Sequence, residues 1–330
     1  MIYDIAIIGS GPAGTSAAIT CQKNGLKVIV ISPYKQYNKN ELHPVQSVHP
    51  GLLTLMKGLG LENTLLNSVK SKFNGIYVND QFTALGNSNE EWLGYHLDKP
   101  KFDVLLQDQL TTLKIPVIDS KLDSILCFND GKEIELTTKD GAVYSAKFVI
   151  DASGSARKLG RLLNIKELFF SPPLICRTGV SELIDEQTLK TEFASKKNGW
   201  VWIAPEDNKQ FTWNKLSLNK LDVDDAMVDS SKLLNEIRVY NVRWRAFRPV
   251  FRNNILLCGD AAGILDPSAG QGIFNAFLSG IKAGNTVIES VHNPRMTDLF
   301  LVQYDQWFIL NFEQKIEQLK EHYNNLKIPF

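Results

Sequence analysis

Three glycines near the start of the chain, Gly9, Gly11 and Gly14, stand in G-x-G-x-x-G spacing with Ala13 inside the same turn. That pattern suits one chemistry, holding the pyrophosphate of a dinucleotide. The first glycine allows a sharp turn, the second lets backbone approach phosphate, and the third lets the next helix pack on the preceding strand. A second glycine-bearing stretch, residues 255–273 (ILLCGDAAGILDPSAGQGI), puts Asp260 after a strand and Gly270 and Gly272 at the start of a helix. Free amides at a helix N-terminus stabilise negative charge beside them by about 0.3–2 kcal/mol. No Ser-His-Asp or paired-carboxylate arrangement stands out. The five histidines and the four cysteines, Cys21, Cys127, Cys176 and Cys258, show no metal spacing, so no bound metal is expected.

The elements that position these residues follow from periodicity. Ile2 and the run from Ile5 to Ile8 read as a strand buried on both faces of a parallel sheet. A helix from Pro12 to Lys23 and a second strand, Val28–Ile31, complete the unit. Ser32 then stands where dinucleotide folds usually carry the acid that holds the adenosine ribose. A neutral serine bond is worth about 1 kcal/mol, roughly half a charge-assisted one. Ser32 with Lys35 also suits a ribose 2′-phosphate, which leaves NADP open as an alternative. His49-Pro50-Gly51 opens a helix to Leu59. Strands are expected at residues 73–78 and 92–97 around a loop at 79–91, a helix at 99–113, and strands at 122–128, 133–138 and 148–150. From 171 to 247 the runs at 174–180, 200–204 and 211–218, with a helix at 224–239, suggest an antiparallel sheet covered by a helix. A strand at 254–258 and a helix from about 270 to 290 return to the first layer. The last stretch, 296–327, is helical by pattern. Its apolar residues dock on the body of the protein or, alternatively, form a dimer, partner-protein or membrane-surface contact.

The 330 residues carry 36 Lys plus Arg against 36 Asp plus Glu, so no charge bias points to nucleic acid or an acidic membrane. Scattered cysteines and the absence of a leader or spanning segment point to a cytoplasmic setting.

Three further motifs, FVIDASG (148–154), GWVWIAP (199–205) and GDAAGILDPSAGQGI (259–273), join the fingerprint. Together they resemble the FAD-dependent enzymes that include aromatic hydroxylases, geranylgeranyl reductases and flavin-dependent tryptophan halogenases. The resemblance covers most of the chain. It implies an α/β fold: a Rossmann-like FAD-binding domain of glutathione-reductase type, an inserted antiparallel β-sheet substrate domain and a C-terminal helix. The corresponding division is 1–72, 99–170 and 248–292 for FAD binding, 73–98 and 171–247 for the substrate sheet, and 293–330 for the tail. It further implies FAD on Gly9, Gly11, Ala13, Gly14 and Ser32, with Asp260 holding a ribityl hydroxyl. By the same resemblance Gly270 and Gly272 would face the flavin pyrimidine edge, and Gln46 and Lys99 would flank the ribityl-phosphate chain. Helix capping for Asp260 and a solvated surface position for Lys99 remain the alternatives.

Trp200 and Trp202 share one face of a strand. They line a substrate pocket with Pro267 and Gln271, or fill the core between sheets. His49 and Lys72 are the candidate catalytic residues, each with a structural alternative. Halogenases resemble the chain in W-x-W-x-x-P, but the halide-binding carboxylate and hydroxyl positions of their Glu-Ser-Thr-Gly turn are Ala269 and Gln271 here. The expectation is a flavin monooxygenase hydroxylating an aromatic or indole-like group of a small molecule or of a tryptophan in a partner protein or peptide. A double-bond reductase is the alternative; a halogenase and a non-catalytic flavin-binding maturation partner rank below both. NAD(P)H or a separate reductase would supply electrons. Ser153-Gly154 replaces the Asp-Gly pair of hydroxylases that use NAD(P)H directly.

Overall fold

Ile5, Ala6, Ile7 and Ile8 are buried, as a strand at the centre of a covered parallel sheet requires. The computed structural model describes residues 2–86, 92–129, 133–185, 188–218, 221 and 223–328. In it Ile2–Ile8 pairs in parallel with Val28–Ile31 on one side and with Val143–Asp151 on the other. Val117–Ile118 and Ile255–Leu257 extend the parallel order outward, and Phe251–Arg252 closes one edge antiparallel. Ile8 lies opposite both Ile31 and Asp151, and Asp151 opposite Leu257. Gly9, Ser32, Ala152 and the Gly259 turn therefore leave the sheet side by side at its carboxyl edge, where open α/β sheets bind ligands.

A second sheet runs Lys232–Leu233, Leu174–Glu182, Gln210–Leu218, Gly199–Pro205, Glu192–Lys196, Gly75–Val78, Gln81–Ala84, with Arg238–Asn241 also on Leu174–Glu182. All its pairings are antiparallel except Glu192–Lys196 with Gly75–Val78. A three-stranded sheet, Gln46–Val48, Gly94–Leu97 and Val69–Phe73, precedes the helix Lys99–Thr112. The C-terminal helix Thr297–Asn325 buries Leu301, Tyr304, Phe308, Phe312, Ile316, Leu319 and Tyr323 against the body, leaving Leu299 and Leu310 exposed. Among the described residues no helix is long and apolar enough to cross a membrane.

Three expectations from periodicity fail. The strand at 73–78 breaks at Asn74, since Val69–Phe73 pairs with Gly94–Leu97 while Gly75–Val78 joins the second sheet. The helix at 224–239 shrinks to Ala226–Ser230, because Lys232–Leu233 and Arg238–Asn241 instead pair with the open edge of Leu174–Glu182. Asn235 holds the link between them by accepting a bond from Val180 N at 2.8 Å. Part of the loop at 79–91 is strand: Asn79 and Asp80, both at positive φ, make a tight turn that returns Gln81–Ala84 onto Gly75–Val78. Residues 87–91 of that loop lie outside the described residues.

Candidate flavin site

The fingerprint glycines divide their work as the spacing predicts. Gly9 has φ +107°, and a β-carbon there would lie 2.5 Å from the carbonyl oxygen of Ala152. One on Gly14 would run into the Gly9 carbonyl. Gly11 differs, because its side is open and the nearest atom is Lys35 Nζ at 4.0 Å. Backbone at Gly11 is thus reachable by a ligand that a cation already faces. Asp151 braces this turn from below, accepting Leu159 N at 2.6 Å and Ser153 N at 3.0 Å. The FVIDASG motif therefore supports the phosphate turn.

The late glycine turn closes on the early one. A β-carbon on Gly259 would sit 2.9 Å from Ala13 Cβ. Ser16 Oγ donates to Phe277 O at 3.1 Å, which clamps Pro12–Lys23 against Gly272–His292. Both helices begin without a side-chain cap and without an acid in the first turn. Orphan amides at two adjacent helix starts require outside acceptors, as the pyrophosphate and the carbonyl edge of a flavin provide.

Charge around the groove fits the same ligand. Lys35 and Lys99 share Asp103, at 3.6 and 2.6 Å. Burial holds the Lys35 ammonium below its ordinary range, Asp103 pulling it back up. Ser32 is buried, and its Oγ lies 2.9 Å from Ser10 Oγ, which also accepts from Gln107 Nε2 at 3.0 Å. Asp260 stands exposed on the groove wall. A helix-capping role for Asp260 finds no support, since the cap of the short turn it enters carries no side-chain bond.

Gln46 pairs with Leu97, which brings it to the start of the Lys99 helix. Its neighbour Ser47 was missed by sequence reasoning. Trp202 Nε1 donates to Ser47 Oγ at 3.0 Å, and the same oxygen shares a hydrogen bond with His96 Nδ1 at 2.8 Å. His96 Nε2 shares a hydrogen bond with Thr191 Oγ1 at 3.2 Å, and the ring stacks on Phe73 at 4.5 Å. Burial pushes the imidazole down to about 3. The Ser47 carbonyl lies 3.6 Å from where a β-carbon on Gly270 would stand, so this network frames the flavin turn.

The other candidates divide between this neighbourhood and the core or surface. Trp200 is buried and donates to Tyr323 OH at 3.0 Å, which makes it core rather than pocket. Tyr323 in turn donates to Asp266 Oδ2 at 3.0 Å, and Trp244 Nε1 donates to the same oxygen at 2.7 Å. Lys72 is exposed on its strand while its neighbours Ser71 and Phe73 face inward, bonding Pro205 O and stacking on His96. Strand alternation turns Lys72 away from the site. His49 Nδ1 accepts the Gly51 amide at 3.1 Å beside Phe274, the bond of a helix-start residue. A cavity of about 230 Å³ opens between the flavin turn and the C-terminal helix. Gln271, Gly272 and Asp260 line it; Trp200, Trp202 and Pro267 do not.

Comparison with known proteins agrees with this geometry. The tryptophan halogenase family model matches residues 61–327, and an FAD-binding domain model matches residues 4–43. Digeranylgeranylglycerophospholipid reductase 1 of Methanococcoides burtonii is 25% identical, the match covering 95% of this chain and 81% of the relative. The 1H-pyrrole-2-carbonyl-[peptidyl-carrier protein] chlorinase of Pseudomonas fluorescens is 22% identical over 92% of this chain and 79% of its own. Among solved structures, the flavin-dependent halogenase CmlS superposes with a TM-score of 0.81 at 20% identity. That match covers 95% of this chain and 63% of the CmlS chain. The chain, with its two glycine turns folded into one groove, belongs to the tryptophan halogenase family of FAD-dependent oxidoreductases.

Proposed function

We propose that the protein is a flavin monooxygenase that hydroxylates a small aromatic or indole-like substrate. The observation that carries this reading is the cavity beside Gln271 and Gly272. At about 230 Å³, with Trp307, Phe308 and Phe312 in its wall, it suits one aromatic ring system. Bound and reduced, FAD would supply two electrons to O₂, placing one oxygen atom in a ring C–H bond and releasing the other as water. NAD(P)H, directly or through a separate reductase, would restore those electrons. Gly11, Lys35 and Lys99 would hold the cofactor's phosphates, and the Gly272 helix start, with Ser47 and Trp202 nearby, would receive its ring.

Two rival readings fit less well. Relatives named as digeranylgeranylglycerophospholipid reductases favour a prenyl substrate, but a chain of that length needs a far longer tunnel than this cavity. Halogenation lacks its lysine, since Lys72 is turned outward, and Ala269 and Gln271 replace the halide-binding residues. One experiment separates the three. The FAD-loaded protein is photoreduced, mixed with ¹⁸O₂, halide and candidate substrates of both classes, and the products are weighed by mass spectrometry. Hydroxylation predicts a single labelled oxygen atom in an aromatic product. A product with two added hydrogens, or with halogen, would overturn the proposal in favour of the corresponding rival.

A further inference from the structure

Lys315 sits on the inner face of the C-terminal helix, half-buried in the wall of the 230 Å³ cavity. Its ammonium bonds the side-chain oxygen of Asn275 at 2.5 Å. Among the described residues it has no carboxylate partner within ion-pair distance. Asn275 belongs to the first turn of Gly272–His292, so the lysine stands beside the positive end of a 21-residue helix. Two positive features placed together without a counter-charge raise each other's cost, and an anion between them would relieve it. Burial holds the Lys315 ammonium below its ordinary range, with no charged group opposing the effect.

The rest of the wall is divided. Phe308, Phe312 and Leu319 make an apolar side, while Ser268 contributes a buried hydroxyl oxygen that has no hydrogen-bond partner among the described residues. Buried hydroxyls are ordinarily bonded, so an unpaired one facing a cavity marks the place of an absent acceptor or donor. The two acids of the wall do not answer Lys315: Asp266 is occupied by Trp244, Tyr323 and Ser268 N, and Asp260 makes no ion pair with it among the described residues.

We propose that this cavity binds a small aromatic carboxylic acid, its carboxylate on Lys315 and its ring against Phe308, Phe312 and Leu319. This rests on the monooxygenase reading for the direction in which the ring must point, toward Gln271 and Gly272. The anion site itself does not need turnover to be observed. Lys315 is thus a specificity residue that selects acids over neutral aromatics of the same shape.

Calorimetric titration of the full chain, with and without bound FAD, tests it using indole-3-carboxylate against its neutral isostere indole-3-carboxamide. The acid should bind at least tenfold more tightly. Lys315→Met should bring the two ligands level, and so should Asn275→Asp, which sets a carboxylate against the lysine without removing it. Lys315→Arg should keep most of the preference. Equal binding of acid and amide by the unaltered protein, or an undiminished preference in Lys315→Met, would overturn the proposal. Because no oxygen or electron donor is present, loss of the hydroxylase reading and loss of the anion site give separate results.

Discussion

His96 offers the sharpest test of the network that frames the flavin turn. It is 1% exposed, is hydrogen-bonded to the Ser47 and Thr191 hydroxyls, and burial lowers its imidazole from 6.5 to about 3. In the unfolded chain the same ring takes a proton near its ordinary value. The unfolded state therefore binds more protons between those limits, and stability falls as pH drops from about 6.5 toward 3. At 1.36 kcal/mol per pH unit, lowering the pH from 7 to 5 costs up to about 2 kcal/mol through this group alone. His49 and His322 are also lowered by burial and add slope of the same sign. Asp151 is raised by burial and contributes in the opposite direction. A variant is needed to isolate His96. His96→Gln keeps a donor and an acceptor without a titrating ring, so urea midpoints at pH 7 and pH 5 should diverge less in the variant than in the parent by roughly that 2 kcal/mol. Equal slopes would show that His96 is not held neutral between Ser47 and Thr191, and the account of the ring-edge network would fail with it.

Other substitutions probe the groove itself. Gly11→Val meets open space apart from Lys35 Nζ at 4.0 Å, so it should lose FAD, read as flavin released on heating, while costing the fold no more than about 1 kcal/mol. Gly280→Val should instead lose flavin and stability together, because its side chain would strike the Ala13 carbonyl and separate the two helices; about 1–3 kcal/mol is expected by urea denaturation. Lys35→Met should weaken FAD binding roughly tenfold to a hundredfold, the worth of a charge-assisted bond, and flatten the salt dependence of the dissociation constant. Tyr323→Phe withdraws a donor from Asp266 and an acceptor from Trp200, and should lower stability by about 1–3 kcal/mol with little change in flavin affinity.

What the sequence disclosed and what it hid divide along a physical line. The glycine turns were legible because their work is done by backbone, and a backbone requirement at Gly9 or Gly14 leaves its mark at a single position. Apolar runs such as Ile5 to Ile8 were legible for the same reason, since burial on both faces writes itself into consecutive residues. The segment at 224–239 misled because local pattern competes with an open sheet edge, and only the fold reveals that the edge of Leu174–Glu182 is there to be filled. Ser47, His96 and Thr191 were hidden because the three come from separate parts of the chain, and none of them is unusual alone.

Lys315 lies between these cases. Phe308, Phe312, Lys315, Leu319 and His322 recur at intervals of four and three residues, the spacing of one helix face. A lysine inside an apolar stripe is a local conflict, and such conflicts collect where function overrides packing. Had the helix merely docked, an aliphatic residue at 315 would have filled the space with no cost of desolvating a charge. The same stripe ends at Tyr323, whose bond to Asp266 fixes the turn that carries Pro267 and Gln271. One face of the tail thus both holds the flavin turn in place and supplies the only lysine in the cavity wall among the described residues. A tail that only covered the protein would need neither feature.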